Sequence, residues 1–264
     1  MYIFKKSLFV LRNYGVKTFI KKVIKFPINK LDILRRKVAE EKAKKKPEEV
    51  IKILKSFSSN DPEEVFDFSW NFYNGLIRPA QIKEEFVELL KIFQEQNPKY
   101  ILEIGTASGG SLFCFCKLAK DDATIISIDL PEGPFGGGYP EWKIPIYQAF
   151  AKENQKLYLL RKDSHKEETL EDVKKNLNGN QLDFLFIDGD HSYEGVKKDF
   201  EMYSPHVRRG GIIAFHDIAP KGDSEFTGGV KNAYIDIKSK YNYKSKEILK
   251  DLNQTACGIG VIYV

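Results

Sequence analysis

Glu103-Ile104-Gly105-Thr106-Ala107-Ser108-Gly109-Gly110-Ser111 closes a short apolar run, Tyr100 to Ile104, and leads into Leu112, Phe113, Phe115, Cys116 and Leu118–Ala119. A run of strand length, a glycine loop and a helical apolar repeat make one strand–loop–helix unit. Working outward, helical periodicity through Phe86, Leu89, Leu90 and Phe93 precedes it. Further apolar runs follow at Thr124–Ile128, Leu157–Leu160, Leu182–Ile187, Gly211–Phe215 and Gly258–Val264. The gaps between most of these runs accommodate crossover helices, so the pattern predicts a doubly wound α/β fold with a mainly parallel sheet covered on both faces. Phe184-Leu185-Phe186-Ile187 lacks polar alternation and reads as a strand buried on both sides.

A chain of 264 residues accommodates one catalytic domain and an accessory segment. We divide it into a basic helical N-terminal extension, 1–60, and a domain spanning 61–264. Basic residues from Lys5 to Lys37 are opposed only by Asp32 before residue 39. Val16, Phe19, Ile20, Val23 and Ile24 recur at helical spacing among lysines until Pro27, which describes a basic amphipathic helix. Such a face packs on the protein's own body or at a homo-oligomer contact, or it meets an anionic surface at the inner membrane or a partner. No run is long enough to cross a bilayer or to form a secretory core, which points to a cytoplasmic protein. Cys114, Cys116 and Cys257 have no zinc-type spacing and read as reduced core thiols. The catalytic region carries no basic and aromatic stripe, so nucleic acid is not an expected partner.

In an open parallel sheet, ligands bind beyond the carboxyl ends of the strands. Gly105 and Gly109 allow backbone approach to a ligand, although a glycine loop also serves as a plain tight turn. Position 107 is alanine where a dinucleotide fingerprint needs glycine. Glu103 before the loop repels a pyrophosphate and suits an ammonium group, a combination that fits S-adenosylmethionine. Asp129 ends the second strand, where a carboxylate accepts ribose hydroxyls or is simply solvated. The turn-rich segment 131–140 is either a closing loop or a plain connection. Asp163 and Ser164 end the third strand and either read an adenine edge or cap the next helix.

The fourth and fifth strands end in Asp188-Gly189-Asp190-His191 and His216-Asp217. These carboxylates and imidazoles can hold a divalent cation and leave one base unbound. With an acceptor hydroxyl beside the cation, Asp190 or His191 would take its proton. Asp199 and Glu201 read as solvated acids on the intervening helix, and Arg208-Arg209-Gly210-Gly211 reads as a surface-charged turn.

These segments together, with Ser127-Ile128-Asp129-Leu130-Pro131 and Gly210-Gly211-Ile212-Ile213-Ala214-Phe215-His216-Asp217, resemble class I S-adenosylmethionine-dependent methyltransferases. More narrowly, they are similar to macrocin-type O-methyltransferases and cephalosporin-hydroxylase-like proteins, over roughly Pro79 to Val264. The resemblance implies a Rossmann-like seven-stranded sheet with an antiparallel last strand. It further implies cofactor contacts by Glu103, Gly105, Ser111, Asp129, Asp163 and Ser164, and a metal at Asp188, His216 and Asp217. His216 stands where catechol-type relatives use a carboxylate. Magnesium is the favoured ion, with manganese, iron and zinc open to an imidazole site and His216 as base the alternative. The expected activity is metal-assisted O-methylation of a small hydroxylated or sugar-like acceptor. A metal-dependent oxidative enzyme and a non-catalytic cofactor-binding scaffold are the competing readings.

Overall fold

The computed structural model describes residues 32–133, 138–219 and 228–264. The helix read at Val16–Ile24 lies outside them, as does part of the 131–140 loop. A helix over 32–45 (α1) is followed by α2 (Pro47–Ser56), α3 (Pro62–Asn71) and α4 (Lys83–Gln96). Strands and helices then alternate: β1 (Tyr100–Ile104), α5 (Gly110–Leu118), β2 (Thr124–Ile128), α6 (Ile144–Gln148), β3 (Lys156–Leu160), α7 (Glu167–Leu177), β4 (Leu182–Ile187), α8 (Tyr193–Tyr203) and β5 (Val207–His216). The chain continues through α9 (Gly228–Tyr241), β6 (Lys244–Ile248) and β7 (Ile259–Tyr263).

The sheet has seven strands in the order β3-β2-β1-β4-β5-β7-β6. β1 to β5 pair in parallel, whereas β7 runs antiparallel to both β5 and β6. All five parallel strands therefore deliver their carboxyl ends to one edge. Side chains alternate between two cores, as a period-2 strand requires. Phe184 and Phe186 of β4 face a phenylalanine-rich layer with Phe86, Phe93 and Phe115, while Leu185 and Ile187 face Val173, Val196 and Phe200. α5 is buried on every side, which suits its nearly continuous apolar sequence.

Two boundaries differ from the sequence reading. β6 carries Lys244, Lys246 and Glu247 on exposed positions and buries only Ile248, so no apolar run announced it. β5 begins at Val207, upstream of the expected Gly211, because Arg208 is not simply surface charge. Its Nε donates to Asp183 at 2.6 Å, and Asp183 also accepts the amides of Lys99 and Tyr100. This ties the start of β5 to the start of β1. Within the stretch read as an extension, α1 and α2 place Ala43, Val50 and Leu54 in the same core as Phe66 and Phe86. Arg78 to Asp32 (2.8 Å) and Lys143 to Glu40 (3.1 Å) join α1 to the body.

Candidate active site

The loop after β1 passes so close to the end of β4 that Gly105 has room for no side chain. A Cβ there would lie 2.1 Å from the carbonyl oxygen of Asp188, and φ is +101°. Two backbone bonds continue the sheet past the strand ends, Gly105 N–H to Ile128 O and Asp188 N–H to Ile104 O, both 2.8 Å. Gly109, also at positive φ, accommodates the ring of Tyr147, whose hydroxyl donates to the Ala107 carbonyl at 3.0 Å. Asp129 Oδ2 accepts the Ala107 amide at 2.8 Å and Oδ1 accepts the Gly138 amide at 2.9 Å. Burial raises this carboxyl despite those amides. A cleft opens here between Ile104, Ile128 and Leu130, with Asp129, Asp163, Ser164 and Asp190 also on its walls.

Glu103 and Ser111 lie behind the loop and bond to each other. Glu103 is fully buried and accepts hydroxyls from Ser111 at 2.5 Å and Ser127 at 2.6 Å. Burial pushes its carboxyl up to about 8, against the pull of the two serines. The native protein thus keeps a proton that the unfolded chain loses near pH 4.5. Stability from the neutral carboxyl is complete below that pH and declines as pH rises through about 8. Glu103→Gln is expected to remove this decline: thermal melts between about pH 5 and about pH 9 should fall less steeply than wild type. Parallel curves would show that Glu103 is ionised in the fold.

Beyond β4 and β5, Asp188, His191, His216 and Asp217 converge. His216 Nδ1 is 3.0 Å from Asp188 Oδ1 and 3.6 Å from Asp217 Oδ2. His191 approaches the same two carboxylates at 3.7 and 3.4 Å. Gln81, from the turn before α4, donates to the other oxygen of Asp188 at 2.6 Å. Burial opposes ionisation of Asp188, but His216 and His191 outweigh it and hold the carboxyl at about 2. Burial likewise disfavours charge on His216, and Asp188 overcomes it, raising the imidazole well above its usual range. Asp190 stands apart from this group. Its Oδ1 accepts the Ser192 amide at 2.8 Å over the first turn of α8, and Gly195 leaves it space.

The family described as a methyltransferase domain matches residues 102–218. Those residues, under half of the chain, carry the similarity to that family. An uncharacterized protein of Sinorhizobium fredii is 35% identical over 127 residues, covering 46% of this chain and 13% of the relative. An uncharacterized protein of Acanthamoeba polyphaga mimivirus is 31% identical over 140 residues, covering 49% of this chain and 55% of the relative. The chain thus spans little more than half of one curated relative and about an eighth of the other. In fold, the chain is similar to the O-methyltransferase of Bacillus cereus in complex with SAH. That likeness has a TM-score of 0.52 at 18% identity and covers 79% of this chain and 93% of the other. It is also similar to the O-methyltransferase TomG of Streptomyces achromogenes in complex with SAM, with a TM-score of 0.52 at 12% identity and coverage of 78% and 90%. The seven-stranded sheet with its antiparallel last strand is the Rossmann-like class I methyltransferase fold.

Four features of residues 102–218 and their flanks correct or extend the sequence reading. Asp199 is fully buried and lies 3.2 Å from His165 Nε2, whereas Glu201 is exposed. The signal was present, since Asp199 shares a helix face with Val196, Phe200 and Tyr203. Cys257 is not a core thiol: it is partly exposed, at φ +62°, and its amide donates to Asp217 Oδ1 at 2.9 Å. Cys114 and Cys116 are buried as read. Gln81 had no motif to reveal it, being 107 positions from the carboxylate it holds. Asp163 accepts the His165 amide at 2.9 Å, and no side chain caps α7 at Lys166.

Proposed function

We propose that this chain transfers a methyl group from S-adenosylmethionine to a hydroxyl oxygen of a small, hydroxylated or sugar-like acceptor, assisted by a divalent cation. The observation that carries the reading is the adjacency of two arrangements at one edge of the sheet. A cleft ending at Asp129 lies beside a charged cluster on β4 and β5, and Gly105 packs against Asp188 between them. Cleft and cluster both fit the groups assigned to them. The glycine loop leaves backbone open beside a buried carboxylate, and the cluster offers two carboxylates and two imidazoles, with Asp188 and Asp217 both facing Nδ1 of the buried His216.

S-adenosylmethionine supplies an electrophilic methyl at a sulfonium, and the cation supplies Lewis acidity that lowers the pKa of the acceptor hydroxyl. Asp188, His216 and Asp217 would hold the cation. Asp129 would accept ribose hydroxyls, with Gly105 and Ser111 shaping the loop and Glu103 behind it. Asp163 and Ser164 line the adenine end. His191, next to both carboxylates, takes the acceptor proton, and Asp190 on the cleft wall is the alternative base. Orientation of the nucleophile toward the methyl does the remaining work, because the displacement needs no covalent enzyme intermediate.

We assign catalysis to 61–264 and treat 1–60 as a basic extension, part of which docks on the domain. No described helix is long and apolar enough to cross a membrane.

The test is calorimetric titration of the chelator-stripped chain with S-adenosylmethionine, with NADH as control. Saturable binding of the sulfonium compound alone is expected. Asp129→Ala should weaken it at least about tenfold, roughly 1.4 kcal/mol, as loss of a charged acceptor in a desolvated cleft does. Unchanged affinity would remove the ribose assignment.

A further inference from the structure

Among the described residues the imidazole of His216, only 4% exposed, has Asp188 at Nδ1 and the Cys257 side chain as its further hydrogen-bonding neighbour, with no better partner for Nε2. A ring nitrogen sealed from water is costly unless something bonds it. Ligand atoms of His216, Asp217 and Cys257 lie within 4.8 Å of one another. The connection between β6 and β7 delivers the cysteine in a fixed position. Buried Glu85 on α4 accepts the amides of Lys250 at 2.9 Å and Gly258 at 2.8 Å, and Asp217 accepts the amide of Cys257 itself. Cys257 is held at φ +62°, where glycine would be unstrained. The chain thus keeps a thiol at a position whose backbone favours having no side chain.

We propose that Cys257 is a thiolate ligand, with His216 and Asp217, of a zinc-class divalent cation at this site. The inference rests on reading the cluster as a cation site and names the kind of cation. Thiolate and imidazole donors suit zinc, cobalt or iron, whereas magnesium takes oxygen ligands and keeps its water. As the metal–sulfur bond forms, the thiol proton leaves to solvent, so loading releases a proton. Both Gln81, which holds Asp188, and Cys257 lie outside the matched residues 102–218. The donor set is thus completed from segments outside that match.

The experiment is titration of the chelator-stripped full chain with cobalt(II), followed by absorption. Visible ligand-field bands and a near-ultraviolet thiolate-to-cobalt charge-transfer band are expected, and a large excess of magnesium should displace neither. Cys257→Ser and Cys257→Gly should both lose the charge-transfer band and bind zinc at least tenfold more weakly in competition with a chromophoric chelator. The glycine variant relieves the left-handed backbone and keeps the comparison valid if serine destabilises the loop. Cys114 and Cys116 serve as internal controls, because burial pushes their thiols up. Ligand-field bands without a charge-transfer band would overturn the thiolate while leaving the divalent site of the proposed function standing. A charge-transfer band that survives both substitutions would also overturn the thiolate. Absence of cobalt binding by the wild-type chain would overturn both.

Discussion

Asp188→Asn is expected to destabilise the metal-free protein by roughly 3 kcal/mol near neutral pH, the scale seen when one member of a buried ion pair loses its charge. The carboxylate lies 3.0 Å from His216 and within 3.7 Å of His191, and it accepts from Gln81. The amide keeps the shape but leaves two imidazoles with Asp217 as their remaining carboxylate. The pH dependence has a definite sign. Asp188 is depressed to about 2, so its contribution is present above the ordinary aspartate range near 3.8 and is lost as pH falls through about 2. His216 is raised, so its contribution is complete below about 6.5 and is lost as pH rises through its folded value. Wild type should therefore show a stability plateau between these limits in urea denaturation, and the asparagine variant should lack it. A variant as stable as wild type across that window would mean that the pair is not ionised in the fold.

Gly105→Ala should cost about 3 kcal/mol or more, from left-handed strain of about 1–2 kcal/mol added to overpacking of a similar size. Contact at 2.1 Å with a backbone carbonyl cannot be relieved by rotating a side chain. Either β1 or β4 must move, and each ends in the site. Binding of S-adenosylmethionine should therefore be lost along with stability. Equilibrium unfolding and calorimetry on the same sample would separate the effects, because an alanine variant with native stability and weakened binding would mean that the loop relaxes locally.

β1, β2 and β4 were legible because they are short, apolar and buried on both faces; Thr124–Ile128 and Leu182–Ile187 fall where the pattern put them. β6 was hidden because an edge strand with four exposed positions has no hydrophobic signature. The strand-end acids were legible for a related reason, since the fold sends every parallel strand to the same edge. What the pattern could not show was which groups meet. Asp188 and His216 are neighbours through pairing of β4 with β5, a long-range fact, whereas Asp190 is drawn to a helix terminus two residues away. Gln81 and Cys257 reach the site from loops, where position depends on tertiary packing rather than on periodicity.

The charged face of β6 bears on how copies of this chain can associate. Lys246 reaches Glu88 on α4 at 2.8 Å and Lys238 on α9 reaches Glu247 at 2.6 Å, so ion pairs flank the β6 edge of the sheet. An incoming strand would have to strip water from Lys244 and Lys246 to hydrogen-bond there, which makes edge-to-edge growth into fibres unfavourable. Self-association through the β6 edge is thereby disfavoured, and concentrated solutions should resist amyloid-type aggregation at this margin until those lysines are neutralised.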